Sequence, residues 1–114
     1  MNNCLFCKII NKEIPAKIAY EDDEVLAFHD IDPQAPVHVL LIPKKHIAGA
    51  NDLEVSDAPL VGKLFQTAAK LAKDLGIAPN GYRIINNCGK DGGQSVEHLH
   101  FHLLGGRVLS WPPG

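Results

Sequence analysis

Positive charge is not in excess anywhere in this chain. Eleven Lys and Arg face thirteen Asp and Glu, for a formal charge of −2, and no basic run stands out. Nucleic acid therefore has no electrostatic footprint to meet here. No apolar run approaches the roughly 20 residues that a membrane span needs. The opening "MNNCLFCKII" lacks a basic region followed by a long apolar core, so a secretory leader is not expected and a cytoplasmic location is. Cysteine is scarce, and its count of three is odd, which fits poorly with a secreted disulfide framework. Aromatic residues are only 6%, with one tryptophan, Trp111, in the tail. Repeats, low-complexity tracts and linkers are missing as well. What remains is 114 residues, 46% apolar and 21% charged, which is the composition of one globular domain over residues 1–114.

The elements can be read from pattern. "FCKIINKEI" suits a brief helix that ends before Pro15, because the residue preceding proline disfavours helical geometry. "AKIAYED" and "EVLAFHDI" are strand-like, and the charged "EDDE" between them marks a hairpin. "VHVLLIP" is a third strand, "YRIINNC" a fourth and "HLHFHLLG" a fifth. One long helix is clear in "SDAPLVGKLFQTAAKLAKDLG". Its apolar stripe is Leu60, Val61, Leu64, Phe65, Ala68, Leu71, Ala72 and Leu75. Ser56 or Asp57 is placed to cap it, Pro59 sits in its first turn and Gly76 follows its end. The stripe should cover one face of a five-stranded sheet, giving an α+β fold.

Against this ordinary background, half of the six histidines fall in five residues. His98, His100 and His102 alternate in "EHLHFHLL". On a strand, such residues share one face, with Leu99, Phe101 and Leu103 on the other. Lys, Thr or Glu would serve an exposed face as well as histidine would. Three histidines cannot chelate one ion from a straight strand, because i and i+4 lie about 13 Å apart. Neutral imidazole is also a nucleophile, and a pKa near 6.5 leaves it neutral at cell pH. One histidine could attack phosphorus while its neighbour steadies the phosphoryl oxygens. Just upstream, "CGKDGGQS" is a glycine-rich loop of the kind that either makes a plain hairpin turn or cradles an anion. Separately, Cys4 and Cys7 form a C-x-x-C, which points to metal or redox use.

"HLHFHLL" resembles the histidine-triad motif of the HIT superfamily. "KIINKEIPA", "FHDIDPQAPVH", "IPKKHI", "DGGQSV" and the ending "LGGR" to "WPPG" are similar, in order and spacing, to its histidine triad nucleotide-binding (Hint) branch. The likeness runs along essentially the whole chain. It implies that two protomers join five-stranded antiparallel sheets, each with one long and one short helix, into a ten-stranded homodimer. It also implies a purine nucleotide ligand such as AMP or GMP, and hydrolysis of purine nucleoside phosphoramidates without a catalytic cofactor. His100 would be the nucleophile and His102 a donor to a non-bridging phosphate oxygen, with His38 tuning the orientation of His100. Ser95 and the amides of Gly93 and Gln94 would meet the phosphate and leaving group. Asp30 would accept from the ribose hydroxyls, Asn87 would help at the phosphate end, and Phe6, Ile14, Phe28 and Ile31 would hold the base. The tail around Trp111 would reach the partner's site.

Some bacterial members of this superfamily hold a structural zinc, and the same resemblance assigns Cys4, Cys7, His46 and His98 to it. Simpler readings exist for several of these residues. The four apolar ones would serve as core, Asp30 as a turn residue and His46 as a surface histidine. Rival activities are a non-catalytic nucleotide binder or scaffold, a dinucleoside polyphosphate hydrolase or nucleotidyl transferase, and a metal hydrolase using H-x-H. The chain departs from the pattern at Asp32, where several members carry serine. Cys88 is an unusual choice beside a phosphate loop.

Overall fold

The computed structural model describes residues 3–114. The first two residues of the stretch read for a leader lie outside it. A short helix, α1 (Leu5–Ile10), precedes the hairpin of β1 (Ile18–Glu21) and β2 (Val25–His29). β3 (Val37–Pro43) follows, then α2 (Ala58–Asp74), and the chain closes with β4 (Tyr82–Asn86) and β5 (Phe101–Gly105). All neighbouring strands are antiparallel, in the order β1-β2-β3-β5-β4. The crossover through α2 carries the chain past the place of β5, which then slots between β3 and β4.

Alternation along the strands divides the apolar residues between two faces. Val25, Ala27, Val39, Leu41, Leu99, Phe101 and Leu103 pack against Leu64, Ala68, Leu71 and Ala72 of α2. Leu26, Phe28, Leu40 and Ile42 point the other way and are covered by Phe6 and Ile9 of α1. Fully burying each such aliphatic side chain contributes about 1.5–3 kcal/mol. The six residues of α1 are too few to be stable alone, so that helix is held by what it covers.

The start of α2 differs from expectation. Asp57 holds the N-cap position of α2, but its side chain makes no capping bond there, because a 3-10 turn, Val55–Asp57, runs straight into the helix. Asp57 is used elsewhere: its carboxylate accepts from the Glu54 amide at 2.9 Å and from Lys45 Nζ at 2.7 Å. Phe65, expected within the stripe, is 46% exposed and touches Phe101 edge-on.

Candidate active site

The triad is not one strand. Ladder pairing begins at Phe101, so His102 alone belongs to β5, and His98 and His100 precede it in irregular backbone. Other partners take this segment out of the ladder. The Leu99 amide donates to the Ile47 carbonyl at 2.6 Å, and Asn86 Nδ2 donates to the His100 carbonyl at 2.9 Å. The two-sided alternation survives even so. Leu99, Phe101 and Leu103 enter the core beneath α2, and the histidines face α1. Two of them do not face solvent, His98 and His100 being 0% and 2% exposed, and His102 is half-buried.

Hydrogen-bond partners fix which nitrogen of each imidazole carries the proton. His100 Nδ1 lies 2.7 Å from the His98 carbonyl, which can only accept, so Nδ1 is protonated and Nε2 keeps its lone pair. His38 Nδ1 accepts from the Gln34 amide at 3.0 Å. Its proton is therefore on Nε2, which donates to His102 Nδ1 at 2.9 Å. That leaves the proton of His102 on Nε2, as an outward donor. Asp30 Oδ2 lies 3.4 Å from His38 Nε2. Asp30, His38 and His102 are close enough to share an ion, but His38 would then need lone pairs on both nitrogens, so a hydrogen-bonded relay fits better.

Burial sets the electrostatics of this relay. It lowers the pKa of His102 to about 4, His100 and His38 add to the fall, and Asp30 opposes it. Burial also lowers His38, against the pull of Asp30 and Asp32. The Asp32 carboxylate therefore acts to keep His38 more basic than its burial alone would allow.

A cleft of about 270 Å³ opens beside His100 and His102. Phe6, Ile9, Ile14, Phe28 and Leu40 line it, Asp30 and Ser95 share it, and Ile31 stands on its rim, fully exposed. Asp30 is a turn residue as well as a cleft residue, since its Oδ1 accepts from the Asp32 amide at 2.8 Å. The lining does not include Asn87, Gly93 or Gln94. The Gly93 amide donates to the Lys90 carbonyl and the Gln94 amide to the Gly89 carbonyl, so both are used in closing the loop. The Gln94 side chain binds the Gly89 amide and the carbonyls of Ala48 and Val96. Gly92 is required by contact, because a Cβ there would lie 2.4 Å from the Cys88 carbonyl. Sequence reasoning missed Asn86, which holds the main chain of His100. Its place opposite Phe101 is visible only once the β4–β5 register is known.

Next to this cleft, Cys4, Cys7, His46 and His98 bring four donor atoms within 4.8 Å of one another. His98 Nε2 donates to the Pro43 carbonyl at 2.8 Å, so Nδ1 presents a lone pair. That nitrogen lies 3.4 Å from Cys4 Sγ, 3.7 Å from Cys7 Sγ and 3.1 Å from His46 Nδ1. Ligands about 2.0–2.3 Å from a tetrahedral ion would have such separations. Burial and the neighbouring Cys4 push the Cys7 thiol up to about 11, a protonation that a bound cation would reverse. The donor set suits a metal.

The HIT domain model matches residues 11–109. A HIT-like protein of Synechocystis sp. is 54% identical over 110 residues, 96% of each chain. Adenylylsulfatase HINT1 of Arabidopsis thaliana is 51% identical over 112 residues, 96% of this chain and 76% of that protein. A HIT family hydrolase from Legionella pneumophila superposes with a TM-score of 0.97 at 54% identity, over 98% of this chain and 100% of that one. A histidine triad protein from Clostridium difficile gives 0.93 at 47% identity, over 96% of each.

Proposed function

The chain belongs to the HIT domain family, and from that premise we propose that it hydrolyses purine nucleoside 5′-phosphoramidates, such as AMP joined to an amine, through a nucleotidyl-histidine. One observation carries the reading. The bond from His100 Nδ1 to the His98 carbonyl leaves Nε2 unprotonated in a cleft where His102 presents an N–H. His100 Nε2 attacks the α-phosphorus and the P–N bond breaks. The leaving nitrogen takes a proton from solvent, relayed through the Ser95 hydroxyl, which gains one as it gives one, so the amine departs neutral. Water then attacks phosphorus, the P–Nε2 bond breaks and AMP is released. Throughout, the His102 N–H faces a non-bridging oxygen, and donors of this kind are worth about 3–4 kcal/mol. His38 holds His102 in the required tautomer.

A second reading concerns the leaving group. The Arabidopsis relative is named an adenylylsulfatase, and a phosphate–sulfate anhydride would pass through the same intermediate with sulfate departing. Turnover of an AMP–amine, adenylyl sulfate and a diadenosine polyphosphate, measured side by side, ranks these substrates. AMP binding with no turnover of any would leave only a nucleotide-binding protein.

Asp30 gives a sharper test. A carboxylate at the mouth of the cleft can accept from both ribose hydroxyls, and charged acceptors make the stronger hydrogen bonds. Asp30→Ala should cost about 1.5–3 kcal/mol in AMP affinity and remove most of the preference for AMP over 2′-deoxy-AMP. An unchanged ribose preference, read by calorimetry, would reduce Asp30 to its turn.

The proposal extends to assembly and metal. β4 is an open sheet edge, and Phe65, Tyr82, Val108 and Trp111 are exposed. Arg83 draws the tail to this side by donating to the carbonyls of Leu109 and Ser110. Two copies joined along this edge would cover both; a monomer by light scattering at micromolar concentration would end that idea. In the Cys/His cluster we place zinc. With four protein ligands it would be structural, fastening the N-terminal segment to the sheet.

A further inference from the structure

The Cys/His cluster and the cleft share one short helix, and a histidine of the cluster bonds a histidine of the cleft. Cys4 precedes α1, Cys7 lies within it, and Phe6 stands between them. The Phe6 ring meets His100 edge-on at 5.1 Å, His98 at 6.0 Å and Phe28 at 5.6 Å, and it forms part of the cleft wall. Among the described residues, the side-chain hydrogen bonds tying residues 4–10 to the rest of the fold run through the two thiols, at 3.3–3.7 Å. His98 links the two sites: its ring faces the cysteines, and its carbonyl accepts from Nδ1 of the cleft residue His100 at 2.7 Å.

We propose that the Cys/His cluster and the nucleotide cleft are thermodynamically coupled through Phe6 and His98, so that zinc in the cluster tightens nucleotide binding and nucleotide tightens zinc. The inference rests on the nucleotide reading above. Thiol contacts of this length are weak hydrogen bonds. Without a cation, α1 is held chiefly by Phe6 and Ile9, and a six-residue helix so held samples undocked states. Four metal–ligand bonds instead fix Cys4 and Cys7 relative to His46 and His98, and Phe6 has no room to leave His100. A base filling the cleft contacts the seated Phe6, so it favours the same arrangement that the metal favours. Such coupling must be reciprocal, with one factor describing both effects. Phe6 and His98 are positioning residues in this scheme.

The test uses the intact wild-type protein, purified without a histidine tag, either loaded with one zinc(II) per chain or stripped by a chelator. Calorimetry gives the AMP Kd of each form. Competition with a chromogenic chelator gives the zinc Kd with and without saturating AMP. Zinc should tighten AMP by about tenfold, within the range of roughly 5–150-fold common for coupled sites, and AMP should tighten zinc by the same factor. Cys4→Ser should bind AMP as the stripped protein does, whether or not zinc is added. Phe6→Ala should keep zinc and lose the reciprocity, which a residue that merely fills space would not do. Equal AMP affinity in the two wild-type forms overturns the coupling and leaves the nucleotide reading standing. Absence of AMP binding to the loaded form overturns that reading and the coupling with it. Failure to take up zinc, or unfolding of the whole domain on stripping, overturns the coupling too, since neither leaves a local link through α1.

Discussion

His100→Ala should lose turnover of an AMP–amine by on the order of 10⁴-fold or more, the scale seen when a covalent nucleophile is removed, while AMP still binds. The split between chemistry and binding follows from the geometry. The base and ribose would be held by Phe6, Phe28 and Asp30, and of these Phe6 packs on the His100 ring but keeps its contacts with Phe28 and His98. The substitution leaves a small apolar void under Phe6 and removes the partner of the His98 carbonyl, so some loss of melting temperature should accompany it. Single-turnover quench experiments should trap a nucleotidyl-protein in wild type and none in the variant. Wild-type turnover in the variant would remove His100 from the chemistry.

The second large effect is expected at His102. His102→Ala should lower kcat by about 10²–10³, the usual result of deleting one donor to a developing phosphoryl or oxyanion charge. The same residue has a pH signature. Its pKa in the fold is about 4, against about 6.5 for an unperturbed histidine, and His38 is lowered too. The unfolded chain therefore takes up these protons first as pH falls. Stability is fully present above about pH 6.5 and is lost progressively toward pH 4. His100, His38, Asp30 and Asp32 are the groups that face this relay. Protonating His102 Nδ1 also sets two N–H groups against each other across the 2.9 Å contact with His38. The melting temperature should be flat above pH 7 and fall between 6.5 and 4, and His102→Gln should flatten part of that fall. A wild-type profile level down to pH 4 would show that the relay carries no such penalty.

Most of the sheet was legible because its strands alternate or run apolar between clear breaks, as "VHVLLIP" does. The long helix was legible from its 3.6-residue stripe. The triad strand was misread for a physical reason. Alternation of His and apolar residues tells only which side each residue faces, and "HLHFHLL" satisfies that pattern whether or not its backbone is paired. The ladder's starting point depends on Ile47 and Asn86, which are remote in sequence. The helix start was legible at Asp57, but the use of its carboxylate was not, because an aspartate before a stripe looks the same whether it bonds the helix amides or a lysine twelve residues earlier. Of the residues the family pattern singles out, Asp30, Ser95, His100 and His102 share one cleft, while His38 stands behind His102 and His98 belongs to the Cys/His cluster. The pattern could not show that the Gly93 and Gln94 amides close their own loop, since main-chain partners leave no mark in residue type.

The Gln94 side chain also bears on kinetics. Its one amide group ties Gly89 to the backbone at Ala48 and Val96, so the glycine-rich loop is already ordered before any phosphate arrives. The entropy of fixing that loop is charged to folding and not to substrate capture. Association should therefore proceed in one step, at a rate set by diffusion and by the fit of the base, with no slow isomerisation of the loop afterwards.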